Sequence, residues 1–263
     1  SFTADVEFDV LDTADNVAAE VTGINGAGDL DEANTVVVSG GDVTASEADA
    51  IQAISGYDGS ASDYDITDTA ASLISAGDDV LNVDGVDTVS VSDSSVRANI
   101  GGDLAGFTAD IEVDVVDDAN ALVAELTSSG FGPGGLDEAN TVVVSDGDVT
   151  ASEADAIQAI SGYDGSASDY DITDTAAALI SAGDDVLNVD GVDVVTVDDG
   201  TVNADDGTTL NNMSADVEFD VSDTRSKVVE NTASLDEANS LVVTGSAAAD
   251  ALNDAEYQAL LSE

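Results

Sequence analysis

One long segment of this chain occurs twice, and this repetition constrains the fold more than any other feature. Residues Leu30–Asp87 return at Leu136–Asp193, with Gly40 replaced by Asp146 and Ser72 by Ala178. A fold with one central core gives each segment different neighbours, whereas stacked repeats give every unit the same surroundings. The repetition therefore predicts a structural scaffold, since no active site has to be built twice.

The repeat extends beyond this segment. Thr3–Val10 alternates apolar and acidic side chains, which predicts a half-buried strand, and the pattern recurs at Thr108–Val115 and Ser214–Val221. Asp12 and Thr13 then offer an N-cap to a short helix. The predicted organisation is repeat 1 over 1–107, repeat 2 over 108–213, and a truncated repeat 3 with a possible C-terminal cap over 214–263.

Shorter strand and helix signals alternate inside each copy. Strands are predicted near Phe8, Val37, Ile66, Val89, Val113, Val143, Ile172, Val195, Phe219 and Val242. Thr44 and Glu47 form a capping box that predicts a helix ending near Gly56. Asp68 is predicted to cap a second helix that ends at Gly77, and the second copy carries the same signals at Thr150, Glu153, Gly162, Asp174 and Gly183.

Strands that alternate with helices at short spacing must pair in parallel, because each helix carries the chain back to the same edge. Two folds satisfy this pattern, a doubly wound sheet and a one-handed coil of stacked strand–helix units. The near-identical copies favour the coil. The predicted fold class is therefore α/β, a parallel strand–helix solenoid of about ten short units.

Charge excludes several classes of partner. The chain has 57 acidic and three basic residues and a formal net charge of −54. Nucleic acid and anionic membrane surfaces are not expected as partners, because both are bound through Lys and Arg. Self-repulsion of this size predicts that salt or divalent cations accompany the folded state.

Calcium is the predicted cofactor. The segment Gly77–Asp87 and its copy Gly183–Asp193 place carboxylates and an amide around a glycine turn, and Ca²⁺ takes six to eight oxygen ligands of these kinds. A polar turn in a very acidic protein is the alternative for the same residues. The candidate ligands are Asp78, Asp79, Asn82, Asp84, Asp87, Asp184, Asp185, Asn188, Asp190 and Asp193.

Other motifs carry less chemistry. The chain has no His and no Cys, so the usual general base and thiol nucleophile are missing and no enzymatic activity is predicted. The LDEAN motifs at Leu30, Leu136 and Leu235 are predicted to form one-turn helical entries with leucine inward. Asp198–Gly200 and Asp205–Gly207 are predicted turns. The recurring tyrosines Tyr57, Tyr64, Tyr163 and Tyr170 are predicted to pack over the Gly/Ser-rich loop, with an aromatic binding strip as the alternative.

The stretch YDITDTAASLISAGDDVLNVDGVDTVSVSD at Tyr64–Asp93 resembles tandem repeats of very large bacterial cell-surface proteins. These are S-layer-like, adhesin-like and sheath- or filament-forming proteins of marine bacteria. The shared elements are a D-T-A helix start after a short strand and a V-x-V-x-D strand after the helix. The resemblance implies secretion, calcium dependence and a structural or adhesive role.

The functional prediction is an extracellular or cell-surface structural protein that self-assembles into a filament or surface layer with cation dependence. The predicted partners are divalent cations and the chain itself, joined head to tail through exposed sheet edges. The alternative is a solenoid spacer segment of a large cell-surface adhesin.

Overall fold

The computed structural model describes residues 8–23, 30–127 and 136–244, which form an α/β fold of alternating parallel strands and helices. The strands are β1 (Asp9–Asp12), β2 (Thr35–Val43), β3 (Asp63–Asp68), β4 (Val86–Val91), β5 (Ile111–Glu112), β6 (Asp114–Asp117), β7 (Thr141–Val144), β8 (Asp148–Val149), β9 (Tyr170–Asp174), β10 (Val192–Val197), β11 (Val217–Glu218), β12 (Asp220–Thr224) and β13 (Ser240–Thr244). The helices are α1 (Ala14–Thr22), α2 (Ala45–Gln52), α3 (Ala70–Ala76), α4 (Asp78–Leu81), α5 (Ala98–Ala105), α6 (Ala119–Thr127), α7 (Ala151–Gln158), α8 (Ala176–Ala182), α9 (Asp184–Leu187), α10 (Ala204–Asn211) and α11 (Arg225–Glu230).

The chain divides into two compact units. The first comprises Ser1–Val116 and Ser128–Val142, and the second comprises Asp117–Thr127 and Val143–Glu263. The boundary falls inside β6 and β7. In the first unit, β1 to β5 form one open sheet in which every described pair is parallel and neighbours follow chain order. In the second unit, β8 to β11 do the same, and β12 pairs in parallel with β13.

The helices form a second layer against the strands of each unit. In the first unit α1 packs on α2, α2 on α3 and α3 on α5, and in the second unit α6, α7, α8, α10 and α11 follow one another in the same way. Strand residues alternate between this layer and the outer face, as in β3, where Tyr64 and Ile66 are buried and their neighbours are not. Full burial of an aliphatic side chain contributes about 1.5–3 kcal/mol. The buried core is built mainly from Ala, Val, Ile and Leu.

The predicted capping boxes are confirmed. The backbone N–H of Thr44 donates to Glu47 Oε2 at 2.9 Å, and Glu47 N–H donates to Thr44 Oγ1 at 3.3 Å; Thr150 and Glu153 form the same pair of bonds. The predicted helix end near Gly56 is wrong, because α2 ends at Gln52. The N–H of Ile54 turns back to the Ile51 carbonyl at 3.1 Å, and this tight turn buries Ile54.

The prediction of one strand at Thr108–Val115 is also wrong. β5 ends at Glu112 and β6 begins at Asp114, so the chain leaves the strand ladder at Val113. The carbonyl of Val113 accepts the N–H of Asn140 at 2.8 Å, and on the opposite side of the strand the partner changes from β4 to Val96, which forms a bridge with Val115. The same break occurs at Phe219 between β11 and β12. Of the earlier copy, Thr3–Glu7 lies outside the described residues, and β1 covers Asp9–Asp12.

Two helices have no counterpart in the sequence predictions. These are α5 and α10, which add to the short helices α4 and α9 inside the segments predicted as glycine turns. The predicted turn at Asp205–Gly207 is wrong because it lies in α10. Glycine inside a helix costs about 1 kcal/mol relative to alanine. At Gly207, however, an added Cβ would lie 2.9 Å from Leu235 Cδ2 and from Val221 Cγ2. Glycine is needed there because the helix backbone passes directly over the neighbouring strand.

The substitution of Gly40 by Asp146 has a local structural effect. β2 runs unbroken through Gly40, whose φ is +73°, a conformation that residues with a Cβ rarely adopt. In the second copy the strand stops at Val144 and resumes at Asp148. The Asp146 carboxylate there accepts the N–H of Gly147 at 2.7 Å.

Candidate functional site

The predicted calcium loops fold as one short helix followed by a tight turn. Asp78 and Asp79 lie in α4, Asp84 precedes Gly85 in the turn, and Asp87 lies in β4. Of the ten candidates only Asp78 is half-buried; the exposed ones are Asp79, Asn82, Asp84, Asp87, Asp184, Asp185, Asn188, Asp190 and Asp193.

The first carboxylate of each loop already has partners. Asp78 Oδ1 accepts the N–H of Thr108 at 2.9 Å and of Ala109 at 3.3 Å, and Asp78 Oδ2 accepts the Thr108 hydroxyl at 2.7 Å. Asp184 Oδ1 accepts the N–H groups of Ser214 and Ala215. The hydrogen bond from the Thr108 hydroxyl, more than the two backbone N–H groups, lowers the pKa of the Asp78 carboxyl. These contacts make Asp78 and Asp184 clamps on the start of the next copy.

The remaining loop residues do not converge on one point. Among the residues that the structure describes, no three Asp, Glu, His or Cys side chains form a group that could hold a metal ion. Calcium needs six to eight oxygen ligands, and carboxylates spread along a helix and a turn do not supply them together. The described residues thus show no cluster of carboxylates at these loops, and the calcium-ligand assignment stays a sequence prediction.

A different set of carboxylates forms a regular pattern. We call them the strand-end aspartates, because each lies at or just after the end of a strand and accepts the first backbone N–H of the helix in the preceding unit. The donors lie 19 to 23 residues earlier, and the pairs are Asp68–Ala45, Asp93–Ala70, Asp174–Ala151, Asp199–Ala176 and Asp223–Ala204, at 2.8–3.1 Å. Each pair ties one strand–helix unit to the next within its compact unit.

The strand-end aspartates correct an assignment made from sequence. Asp68 was predicted to cap α3, but the cap is Thr69, whose hydroxyl accepts the Ser72 N–H. Asp68 Oδ1 instead accepts the N–H of Thr69 at 2.7 Å, and Asp68 Oδ2 reaches back to Ala45. Asp174 behaves in the same way. Sequence gives one signal for this role at Asp68 and Asp174, the Asp of the D-T-A helix start, but not the direction of the second bond.

A carboxylate at this position has a clear electrostatic benefit. The first N–H groups of a helix have no partner within the helix and carry partial positive charge, so a negative group beside them is stabilising. In a chain with three basic residues, backbone N–H groups take over part of the role that Lys and Arg play elsewhere. The strand-end aspartates therefore cap the helix of the preceding strand–helix unit.

The outer strand face carries acids in direct register. Asp42 lies opposite Asp65 in the β2–β3 pair, and Asp148 lies opposite Asp171 in the β8–β9 pair. Like charges opposite each other in a sheet are destabilising. Asp65 and Asp171 are partly compensated: the Asp65 carboxylate accepts the backbone N–H and the hydroxyl of Thr88 on β4, and Asp171 Oδ1 accepts the Val194 N–H on β10 at 3.2 Å. Asp42 and Asp148 therefore depend most on solvent cations to screen the repulsion within these pairs.

The recurring tyrosines pack within the scaffold. Tyr64 and Tyr170 are each 1% exposed, and their hydroxyls accept the side-chain amides of Gln52 and Gln158. Tyr57 donates from its hydroxyl to the Asp84 carbonyl at 3.0 Å, and burial raises the pKa of that phenol. The glutamine partners have no signal in the sequence periodicity. Tyr57 thereby holds the turn at Asp84 against the loop that follows α2. A shallow groove lies beside this contact.

One lysine stands out against the acidic surface. Lys227 Nζ lies 2.9 Å from Asp205 Oδ2, and Asn231 Nδ2 donates to the same carboxylate at 3.2 Å. The hydrogen bond from Lys227 lowers the pKa of Asp205, and the same contact raises the pKa of Lys227. All of these groups are on the surface, where ion pairs contribute little to stability.

Comparison with known proteins adds no family. A scan of the chain against protein-family models finds no match, and a search of curated proteins finds no relative. Within the described residues, none of the helices has the length and apolar character needed to cross a bilayer.

Proposed function

We propose that this chain is an extracellular structural protein, a parallel strand–helix solenoid that assembles head to tail into a filament or surface layer when cations screen its charge. The observation that carries the proposal is the equivalence of its units. Residues that correspond in the two copies make the same contacts, as the pairs Asp68–Ala45 and Asp174–Ala151 do. A solenoid gives every unit the same neighbours, so the same sequence serves repeatedly.

The order of the elements supports the coil over a doubly wound sheet. A doubly wound sheet reverses its strand order at a switch point and places helices on both faces. Here the sheet neighbours follow chain order within each compact unit, and the helices pack in that same order. No His or Cys is present, and the strand-end carboxylates are taken up by backbone N–H groups, so we propose a non-catalytic role.

Cation dependence follows from charge rather than from one binding loop. A net charge of −54 opposes both folding and the approach of a second copy. Molar salt shortens the screening length to about 3 Å, and divalent cations neutralise neighbouring carboxylates such as Asp42 and Asp65. We therefore propose calcium as a counterion of the acidic outer face, which agrees with an extracellular or cell-surface location.

The proposal is tested by negative-stain electron microscopy and sedimentation of the purified chain in four solutions. These contain millimolar calcium chloride, the same with excess chelator, molar sodium chloride, and dilute buffer. Ordered polymers in calcium that disperse in chelator are the expected result. Single particles in all four solutions would contradict self-assembly and support the second candidate, a spacer segment of a large adhesin, which needs the same repeated units without polymerisation.

A further inference from the structure

The junction between the second and third copies carries a motif that the junction between the first and second lacks. Asn212–Ser214 reads N-M-S, an asparagine followed two positions later by a hydroxyl residue, with no proline between them. This is the acceptor motif for N-linked glycosylation, and it occurs once in the sequence. The equivalent segment Gly106–Thr108 keeps the hydroxyl residue but has glycine at the acceptor position.

The motif lies on the surface, where the chain leaves a helix. α10 ends at Asn211, Asn212 is its C-terminal cap with φ −91° and ψ 2°, and β11 begins at Val217. Asn212 and Ser214 are both exposed. A transferase has to reach the acceptor amide, and the attached oligosaccharide has to extend into solvent. A connection on the protein surface satisfies both requirements.

The Asn212 side chain can carry a sugar without giving up its structural contact. Asn212 Nδ2 donates to the Thr208 carbonyl at 2.6 Å, which satisfies a carbonyl of the last helical turn. An amide nitrogen has two hydrogens, and within the described residues only this one protein acceptor is present for Asn212 Nδ2. A sugar carbon in place of the other hydrogen leaves one N–H for Thr208. Attachment is therefore compatible with the helix cap.

The hydroxyl of the motif is also accessible. Ser214 N–H donates to Asp184 Oδ1 at 2.8 Å, which fixes the backbone of the motif. At the equivalent junction the Thr108 hydroxyl donates to Asp78 Oδ2 at 2.7 Å. In the part of the chain that the structure describes, the Ser214 hydroxyl has no corresponding bond to Asp184. The residue type that a glycosyltransferase recognises is thus left exposed.

The neighbouring asparagine differs in each of these respects. Asn211 lies inside α10, and the residue two positions later is Met213. Its Nδ2 donates to Asp236 Oδ1 at 3.0 Å, and its Oδ1 accepts the N–H of Glu237 at 2.9 Å. These bonds hold the amide against the third LDEAN segment. Asn211 therefore provides a matched control one position away.

We propose that Asn212 is the acceptor of an N-linked oligosaccharide. In the transfer, Asn212 Nδ2 bonds to the anomeric carbon of an oligosaccharide that a lipid phosphate donor supplies. The bond between that carbon and the phosphate oxygen breaks, the lipid phosphate leaves with the electron pair, and one amide proton passes to a base of the transferase. This inference rests on the extracellular location in the proposed function, because the motif is modified in exported chains.

The test is secretion of the full chain from cultured eukaryotic cells, with a co-secreted reporter glycoprotein to show that the host transfers sugar. We expect an intact mass above that of the sequence by one oligosaccharide. Enzymatic release in heavy-oxygen water should convert Asn212 to labelled aspartate. Asn212→Gln and Ser214→Ala should each remove the added mass, whereas Asn211→Gln should keep it. An unmodified parent chain beside a modified reporter would overturn the proposal.

The helix cap provides a second readout. Hydrogen exchange in the last turn of α10 should be the same in the glycosylated chain and in a chain from a host without the transferase. Enzymatic release leaves a carboxylate that cannot donate to Thr208, and exchange there should become about fivefold faster. Faster exchange in the glycosylated chain would overturn the retained bond. Self-assembly is measured on the sugar-free chain, so the proposed function stands or falls separately.

Discussion

The strand-end aspartates lead to a prediction whose size follows from the structure. Asp174→Ala removes a carboxylate that accepts two backbone N–H groups, from Ala151 at 3.1 Å and from Thr175 at 2.7 Å. Both donors lie at helix starts and would lose their protein partner. A hydrogen bond to a charged group contributes about 1.5 kcal/mol at the lower end of its range, so the two together contribute about 3 kcal/mol.

One effect opposes this loss. Removing a negative charge from a chain of net charge −54 relieves repulsion, by a few tenths of a kcal/mol in high salt. The expected net destabilisation is about 2–3 kcal/mol. With a urea slope of ~2 kcal/mol per molar, the unfolding midpoint of the second unit should fall by about 1 M.

The matched control is Asp193→Ala, which removes the same charge from an exposed position on β10. Urea unfolding followed by circular dichroism in molar sodium chloride, without calcium, compares the two variants with the parent chain. Hydrogen exchange of the first turn of α7 locates the effect, since Ala151 N–H should exchange faster only in Asp174→Ala. Equal midpoints for the two variants would refute the reasoning, because charge alone would then explain both.

Three further predictions concern packing and pH. Gly207→Ala should lower the free energy of unfolding by about 1–3 kcal/mol through overpacking against Val221, and a gain in the urea midpoint, as usual for Gly→Ala in helices, would contradict the geometry. The hydrogen bond from Thr108 lowers the pKa of Asp78 from 3.8, so the ionised Asp78 stabilises the fold above that value, and this stabilisation is lost as the pH falls through the folded-state pKa. Asp78→Asn should therefore reduce the loss of unfolding free energy measured below about pH 4. Parallel curves of unfolding free energy against pH for the variant and the parent chain would contradict this prediction. Burial raises the pKa of Tyr163 from 10.0, so the neutral phenol stabilises the fold below that value, and this stabilisation is lost as the pH rises above it. Tyr163→Phe should therefore reduce the fall of the thermal midpoint at alkaline pH. An unchanged dependence of the thermal midpoint on pH would argue that the phenol is solvated.

Much of the fold follows from local signals. The strands at Val37, Ile66 and Val89 carry alternating or branched residues, and the capping box at Thr44 and Glu47 satisfies its N–H groups without distant partners. Such features depend on a few neighbouring residues, so sequence predicts them well. The D-T-A helix starts belong to the same class.

The features that sequence missed depend on distant residues. Pairing of β5 with β4 ends at Glu112, and Val96 bridges Val115 beyond it, a change of partner that no local pattern indicates. α10 contains a glycine that propensity disfavours, and only its passage over Val221 explains it. The partner of Asp78 in the predicted calcium loop was missed for a related reason, since Asp78 bonds to Thr108 thirty positions later.

The identity of the two copies has a consequence for refolding. The strands β3 (Asp63–Asp68) and β9 (Tyr170–Asp174) share the sequence YDITD. During refolding β2 can therefore pair with β9 through the same side chains as with its native partner β3. Correct partners must then be selected by proximity along the polypeptide, because short loops close faster than long ones. Dilution from denaturant should yield a fraction of molecules with copies paired out of order, whereas synthesis from the N-terminus offers each strand its proper neighbour before the duplicate exists.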